Sequence, residues 1–209
     1  MNPLALFTTA AVAFSLGAIP FSWIIGRILQ GVDIRSTGSG NVGATNLARA
    51  IGFGPGVAAL LLDAAKGVAA VLFARWMAGT GQEVSWLPAL TGALAVIGHN
   101  FTPFLRFKGG KGVATGAGVF GALAPLALVT AVVVFLSIVL TSRLVSLGSV
   151  AAAAALPLAV LLIYDSTPVT VAAFGVAALV VLRHRGNLLR IRRGTEDRIT
   201  DTDKRTGSA

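Results

Sequence analysis

The chain of 209 residues contains no cysteine, and only 12% of its residues are charged. The lack of cysteine excludes a disulfide framework, a thiol nucleophile and a thiolate metal site. Only two histidines and eight acidic residues are present, mostly far apart, so we expect neither a metal nor another cofactor. The charged share is about half that of an ordinary soluble domain. These absences argue against a soluble globular protein.

Long apolar runs occupy most of the chain instead. Several uncharged stretches reach the length of about 20 residues that a membrane-spanning helix needs. Gly17, Pro20 and Pro125 are expected to kink or break helices, and Gly148 with Ala151–Ala155 forms a small-residue face suited to close helix packing. We predict an all-α, polytopic integral membrane protein with about seven transmembrane helices, some short or broken. The apolar segments are 3–29, 53–74, 86–98, 112–124, 126–142, 147–163 and 167–182.

The positive charges predict the orientation, because cytoplasmic loops are enriched in lysine and arginine. No Lys or Arg precedes Arg27, which places the N-terminus outside. If the uncharged stretch 112–142 makes two passes, broken near Gly121–Pro125, every basic cluster and the C-terminus lie in the cytosol. Residues 1–198 then form one transmembrane domain, and 199–209 form a flexible cytosolic tail.

The net charge of +9 therefore collects on one membrane face. Topology and contact with anionic lipids explain such a charge without any substrate, whereas an anionic substrate at that face is the functional alternative. Nucleic acid is not expected as a partner, because the basic loops hold few aromatic residues for stacking.

The stretch from Ser36 to Arg49 is rich in glycine and small polar residues. Its glycines allow positive φ, so that N–H groups converge on one centre, and polar side chains add donors. The pattern predicts a phosphate-binding loop; a plain polar turn between membrane helices is the alternative. A Walker-like spacing is present, but Ala44 replaces the lysine, which argues against an NTPase. The residues expected to form the loop are Gly38, Ser39, Gly40, Asn41, Gly43, Thr45, Asn46 and Arg49.

A second motif runs from Gly98 to Thr115 and places Lys108 and Lys111 around Gly109 and Gly110. We expect exposed glycine N–H groups beside these cations, with a helix that starts near Val113 directing its positive end to the same place. Positive-inside anchoring is the alternative for the lysines. For His99, the alternative to a functional role is that of an ordinary hydrogen-bonded histidine at a helix end.

A third motif, Arg183 to Glu196, follows the last apolar segment and by itself is an ordinary basic tail. Inside the membrane, Asp63 and Lys66 are three residues apart and so lie on one helical face. Each would be costly in lipid alone, by about 2.5–3.5 kcal/mol at mid-bilayer. We expect them to be paired and to serve the structure, with a catalytic role as the alternative.

Together these motifs resemble the bacterial acyl-phosphate:glycerol-3-phosphate acyltransferases, small integral membrane enzymes. The resemblance extends from Gly17 to Glu196 and is most specific in Gly38–Asn46 and Phe107–Thr115; Ser142–Ser149 also fits. It implies a catalytic set of Ser39, Asn41, Arg49, Lys111, His184 and Asn187. It implies substrate binding by Gly40, Gly43, Thr45, Asn46, Lys108, Gly109, Gly110, Arg143, Ser149 and Glu196.

The implied reaction transfers a fatty acyl group from acyl phosphate to the 1-hydroxyl of glycerol 3-phosphate, giving lysophosphatidic acid and phosphate. The implied location is the bacterial inner membrane, with the active site facing the cytosol; the oligomeric state stays open, and a monomer is compatible with the sequence. A transporter of phosphate or an organic anion is the rival function, and a thioester is the rival acyl donor.

The two histidines are not expected to act as general bases oriented by a carboxylate. No acidic residue lies within ten positions of His99 or His184. Since the phosphate of the donor can accept the hydroxyl proton, the resemblance favours substrate-assisted catalysis. In that mechanism His184 and Asn187 orient the acyl phosphate or the developing oxyanion, with help from Ser149.

Overall fold

A computed structural model describes residues 2–79 and 86–199, which contain helices and no strand. The chain divides into two compact units, the first ending at Leu123 and the second beginning at Ala124. The helices of the first unit are α1 (Pro3–Ala18), α2 (Phe21–Gln30), α3 (Ala44–Ile51), α4 (Phe53–Ala78), α5 (Trp86–Asn100) and α6 (Val113–Leu123). Those of the second are α7 (Pro125–Ser142), α8 (Val145–Ile163), α9 (Thr167–Arg183) and α10 (Arg185–Arg192).

The all-α membrane class is confirmed. Four apolar segments of the described chain are long enough to cross a bilayer: Pro3–Gln30, Phe53–Ala78, Pro125–Ser142 and Val145–Ile163. The pair α9 and α10, bent by 52°, adds a fifth if it counts as one span. The count of seven and the orientation stay predictions, and of the proposed tail 199–209 only Ile199 lies within the described residues.

Two prolines interrupt the helices where the sequence predicts, and an asparagine caps the first helix. The Asn2 side chain accepts a hydrogen bond from the N–H of Ala5 (2.7 Å) and caps α1. α1 ends at Ala18 and α2 begins at Phe21, so the helix is interrupted at Pro20, as predicted. α7 starts at Pro125, which confirms the break predicted inside the long uncharged stretch.

Glycines bring the helices of the first unit into close contact, in two reciprocal pairs. On α1 and α5, a Cβ at Gly17 would collide with the carbonyl of Ala95, and one at Gly98 would collide with the carbonyl of Phe14. On α4 and α6, Gly67 faces Thr115 and Gly118 faces Ala64 in the same way. Gly17 therefore serves the packing of α1 on α5 and does not itself interrupt the helix, which ends one residue later.

Gly148 plays the same part in the second unit, where α7 packs on α8. Its absent Cβ leaves room for Val139 and the backbone of Phe135. This confirms close packing at Gly148, one member of the predicted small-residue face. The outer faces of these helices expose large apolar side chains, among them Leu140 (65% exposed) and Leu162 (84% exposed). Such faces suit lipid, since lipid hydrocarbon surrounds them without the cost that water imposes.

Two helices were not foreseen, α3 and α10. The predicted phosphate loop was drawn as far as Arg49, but it ends at Gly43 and the chain continues as α3. The basic third motif is likewise helical, over Arg185–Arg192. Both helices are only eight residues long and polar on one side, so no long apolar pattern signals them.

Candidate active site

One asparagine organises the first glycine loop. Asn46, on the first turn of α3, is 2% exposed. Its amide nitrogen donates to the carbonyls of Ile34 (2.8 Å), Asn41 (3.0 Å) and Thr37 (3.1 Å), and its oxygen accepts from the N–H of Ser39 (3.0 Å). Both amide hydrogens are thus engaged within the loop. The sequence predicts that Asn46 contacts phosphate directly. The structure corrects this prediction, because the Asn46 side chain is used to hold the backbone of the loop in place.

The loop turns at two of the predicted positions. Gly38 and Gly40 have φ of +52° and +67°, a region that L side chains rarely adopt. Gly43 is extended, with φ of −150°, so the expectation of positive φ there is wrong. Ser39 and Gly40 are exposed and Asn41 is half-buried.

Two further residues of the first motif lie on α3. Thr45 and Arg49 are four residues apart, on one face of the helix. α3 follows the loop directly, and its N-terminus after Gly43 has no side-chain cap. The first unit thus combines a glycine turn, a helix N-terminus and a cation, the elements of an anion site.

The second glycine loop differs from the sequence expectation. The N–H groups of Gly109 and Gly110 donate to the carbonyls of Asn100 and His99 (both 3.1 Å), so they do not face outward to a phosphate. Both residues are buried, and a Cβ on Gly109 would collide with the His99 carbonyl. Their small size serves packing on the end of α5. The helix predicted to start near Val113 does start there.

The lysines of this loop sit at its edges. Lys108 is exposed and Lys111 is half-buried. Just before them, Arg106 and Phe107 have φ of +54° and +61°, a strained conformation for non-glycine residues. This conformation reverses the direction of the chain, so that the next residues return to the end of α5.

Lys108 lines an open cleft of about 410 Å³ with two further cations and an apolar wall. Its lining residues are Trp23, Arg35, Phe104, Leu105, Arg106 and Lys108. Arg35 is held by Asp33, which it contacts at 2.7 Å and 2.9 Å, while Arg27 contacts the same carboxylate at 2.9 Å. The hydrogen bond from Arg35 holds the pKa of Asp33 well below its usual range. Cations beside aromatic side chains suit an anionic amphiphile.

The predicted pair of Asp63 and Lys66 is present, and a histidine joins it. Lys66 Nζ lies 2.7 Å from Asp63 Oδ1, and both side chains are nearly inaccessible. His99 Nδ1, from α5, lies 3.0 Å from Lys66 Nζ and 3.6 Å from Asp63 Oδ1. The expectation that no carboxylate accompanies a histidine is therefore wrong for His99. That expectation rested on neighbours along the chain, whereas Asp63 lies on a different helix, α4.

Asp63 and His99 also line a tightly packed place where both glycine loops meet and where no water molecule fits. Its lining includes Val42 of the first loop and Gly109 and Gly110 of the second. One feature of the sequence points to this cluster: Asp63, Lys66 and His99 are ionisable residues in otherwise apolar helices. Among the described residues, no group of three or more acidic, histidine or cysteine side chains could hold a metal ion.

The second unit assembles its polar residues near the end of the chain. Asn187 donates to Glu196 (2.5 Å), and Arg190 Nε donates to the other oxygen of the same carboxylate (2.7 Å). Burial raises the pKa of Glu196, but these hydrogen bonds outweigh burial and hold the pKa below its usual value. Glu196, expected to bind substrate, thus orients Asn187 and Arg190.

The remaining predicted residues of this unit have varied surroundings. His184 is buried, and its Nδ1 lies 2.8 Å from the Val180 carbonyl, which assigns the proton to Nδ1. The Ser149 hydroxyl donates to the Val145 carbonyl (2.9 Å) in its own helix. Arg143 is exposed and ends α7 with φ of +62°.

Fold and site define an α-helical integral membrane protein whose first unit carries cationic glycine loops. A family model described as glycerol-3-phosphate acyltransferase matches residues 7–194. The chain is 46% identical to a glycerol-3-phosphate acyltransferase of Geobacter sulfurreducens, over 95% of this chain and 98% of that protein. It is also 46% identical to glycerol-3-phosphate acyltransferase 2 of Moorella thermoacetica, over 90% and 94% of the two chains.

Solved structures agree with these relatives. A crystal structure of PlsY (YgiH), an integral membrane glycerol 3-phosphate acyltransferase in its glycerol 3-phosphate form, matches with a TM-score of 0.88 and 37% identity, over 95% of this chain and 97% of that one. Its lysophosphatidic acid form matches with a TM-score of 0.84 and 38% identity, over 92% and 94%. The chain belongs to the glycerol-3-phosphate acyltransferase family and is an acyltransferase. The predicted enzyme class is confirmed, and the transporter alternative is set aside.

Proposed function

We propose that the protein transfers a fatty acyl group from acyl phosphate to the 1-hydroxyl of sn-glycerol 3-phosphate. The hydroxyl oxygen bonds to the acyl carbon, the bond from that carbon to the phosphate oxygen breaks, and the hydroxyl proton passes to the phosphate. The products are lysophosphatidic acid and inorganic phosphate. This is the first acylation step in making a phospholipid.

The observation that carries this proposal is the match, over nearly the whole chain, to PlsY structures in glycerol 3-phosphate and lysophosphatidic acid forms. The first unit agrees with it chemically. Its cleft combines Arg35, Arg106 and Lys108 with Trp23 and Phe104, which suits a phosphate attached to an apolar chain. An acyl phosphate and a lysophosphatidate both have that character.

Within the proposed mechanism, the protein binds and orients its substrates, and the leaving phosphate serves as the base. Ser39, Thr45 and Arg49 are proposed to contact one phosphate, while Lys108 and Lys111 contact the other. His184 and Asn187 of the second unit are proposed to orient the acyl phosphate or to stabilise the developing oxyanion. Because Nδ1–H of His184 donates to the Val180 carbonyl, Nε2 must carry a proton as well, in the imidazolium form, to donate to an anionic oxygen in this role.

The donor is tested by comparing two substrates on the purified protein. With glycerol 3-phosphate present, palmitoyl phosphate should yield one phosphate per lysophosphatidate formed, whereas palmitoyl-CoA should yield neither product. Turnover of palmitoyl-CoA with release of free thiol, in place of turnover with palmitoyl phosphate, would establish the thioester as donor and contradict the proposal.

We further propose a bacterial inner-membrane location, with seven spans, the N-terminus outside and all three motifs in the cytosol. The native chain lacks cysteine, so single cysteines report topology directly. Cysteines in place of Arg106 and Arg193 should resist a membrane-impermeant maleimide in intact cells and react after permeabilisation. Gln82→Cys, in the loop predicted to face outward, is the positive control. External labelling at position 106 or 193 would overturn the orientation.

A further inference from the structure

Asp63, Lys66 and His99, here called the buried triad, occupy the interior of the first unit. Asp63 and Lys66 lie in the middle of α4, the 26-residue helix that is long enough to span a bilayer. Their exposed fractions are 2% and 4%, and that of His99 is 8%. A buried ion pair is weak evidence for stability, because well-packed apolar residues often replace one without loss. The presence of such a pair in a membrane helix therefore calls for another explanation.

Lys66 connects three segments of the chain. Its ammonium contacts Asp63 Oδ1 (2.7 Å), the carbonyl oxygen of Ile19 (2.8 Å) and His99 Nδ1 (3.0 Å). The contacts with Ile19 and His99 are hydrogen bonds of the ammonium, and the contact with Asp63 is an ion pair. Ile19 lies at the break between α1 and α2, and His99 lies in the last turn of α5. Lys66 thus links α4 to both.

The same contacts determine the tautomer of His99. An ammonium cannot accept a hydrogen bond, so His99 Nδ1 must be the acceptor in the 3.0 Å contact. Asp63 Oδ1 lies 3.6 Å from Nδ1, which is too long for a competing hydrogen bond. A neutral His99 then carries its proton on Nε2. This nitrogen faces Gly110, since a Cβ on Gly110 would collide with it.

His99 is in turn attached to the second glycine loop by its backbone. Its carbonyl accepts the N–H of Gly110, and the carbonyl of Asn100 accepts the N–H of Gly109. The Cβ position of Gly110 lies 2.8 Å from the carbonyl oxygen of Val42, so both glycine loops meet at this ring. A shift of the His99 backbone therefore moves the segment that carries Lys108 and Lys111, and a rotation of its ring changes the contact with Gly110.

We propose that the buried triad is a set of positioning residues: Asp63 and Lys66 lock His99 in its Nε2–H tautomer beneath Gly110 and so place Lys108 and Lys111 to bind substrate phosphate. The inference rests on the proposed function, in which these lysines bind a substrate. None of the three residues contacts substrate in this role. Their loss should weaken substrate binding and leave the chemical step nearly intact.

The decisive variant removes both charges at once. Asp63→Leu with Lys66→Met leaves no unpaired buried charge, and it makes α4 a more apolar span. If the triad positions the loop, the folded double variant should show a KM for glycerol 3-phosphate raised about ten- to hundredfold, with kcat changed by less than about threefold. A wild-type KM, or a loss of kcat at unchanged KM, would overturn the proposal.

Two substitutions at His99 test whether its N–H has to be at the Nε2 position. Gln can place an amide N–H near the position of imidazole Nε2, whereas the shorter Asn reaches only the position of Nδ1. His99→Gln should therefore raise the KM less than His99→Asn does, with kcat similar in both. Equal KM values for the two variants, or an equal collapse of kcat that marks His99 as a base, would contradict the positioning role. This pair decides the question if the double variant does not fold.

Thr91→Val is the matched control. Thr91 is a buried polar residue of the same helix, and its hydroxyl donates to Leu87 and Pro88 within α5. It should leave both kinetic constants unchanged, and a KM as high as that of the double variant would reduce the effect to general loss of packing. Wild-type enzyme that releases no phosphate from palmitoyl phosphate contradicts the proposed function. Active wild-type enzyme beside a double variant with normal KM contradicts only the positioning role.

Discussion

The buried triad and the cluster of Asn187, Arg190 and Glu196, here called the terminal cluster, solve the same problem in different ways. Each holds a carboxylate with a cation and one neutral polar group. The triad draws on two helices, with Asp63 and His99 separated by 36 positions, and its ion pair is about 2–3% exposed. The terminal cluster lies within ten residues of chain, and Arg190 is 43% exposed. Solvent screens the second and not the first.

The two histidines show the same difference. His99 accepts at Nδ1 from a lysine of another helix, whereas His184 donates from Nδ1 to the carbonyl of Val180, four residues earlier in the chain. Distant parts of the fold therefore determine the tautomer of His99, and the local helix determines that of His184. We expect substitutions in the triad to have larger consequences than substitutions in the terminal cluster.

The largest effect should come from breaking the triad on one side. Asp63→Leu leaves the Lys66 ammonium buried without its carboxylate, which should lower the free energy of unfolding by about 3–5 kcal/mol. Thermal denaturation in detergent would measure the loss. The double variant with Lys66→Met should recover most of it. A single variant as stable as the wild type would mean that Lys66 is neutral or solvated in the fold.

Gly110→Ala should have the next largest effect. The added methyl group collides with His99 Nε2, and the resulting shift should cost about 1–3 kcal/mol and raise the KM for glycerol 3-phosphate. Gly175→Ala on α9 is the matched control, because nothing lies near its Cβ position. That variant should be neutral or slightly more stable. Equal behaviour of the two variants would contradict the close contact at Gly110.

Glu196→Gln should weaken the terminal cluster by about 1 kcal/mol, since Arg190 is partly solvated and screening reduces the value of the pair. The pKa of Glu196 is lower in the fold than its ordinary 4.5. The stabilisation is therefore complete above the unfolded pKa and is lost as pH falls through the folded pKa. Thermal melting from pH 7 to pH 3 should fall less steeply for the variant. Parallel curves would remove Glu196 from the acid response.

The smallest effect is expected at Asp33, which bridges Arg27 and Arg35 at the surface. Asp33→Asn should change the free energy of unfolding by about 0.5 kcal/mol or less, and by less again in high salt, because exposed ion pairs are screened. The pKa of Asp33 is lowered, so this contribution too disappears on acidification. Melting at low and high salt would test it. A loss comparable to that of Asp63→Leu would refute the ranking of buried over exposed pairs.

The site was predictable where local chemistry determines it. Positive φ at Gly38 and Gly40 and the start of α6 at Val113 follow from residue type and order. The orientation of Asn46 does not, because a loop that folds back on itself turns that side chain inward. Nor do the roles of Gly109 and Gly110, whose N–H groups find partners on α5.

By itself the sequence determined the membrane class, the helix breaks at Pro20 and Pro125, and the presence of cationic glycine loops, since hydropathy, proline geometry and glycine freedom act over a few residues. Only the tertiary structure decided that Lys66 would meet Ile19 and His99, and that His99 would face Gly110. The two contacts of Lys66 join residues 33 or more positions apart. They exist because reciprocal glycine contacts bring α1 close to α5 and α4 close to α6, and no local pattern encodes which buried donor then finds which acceptor.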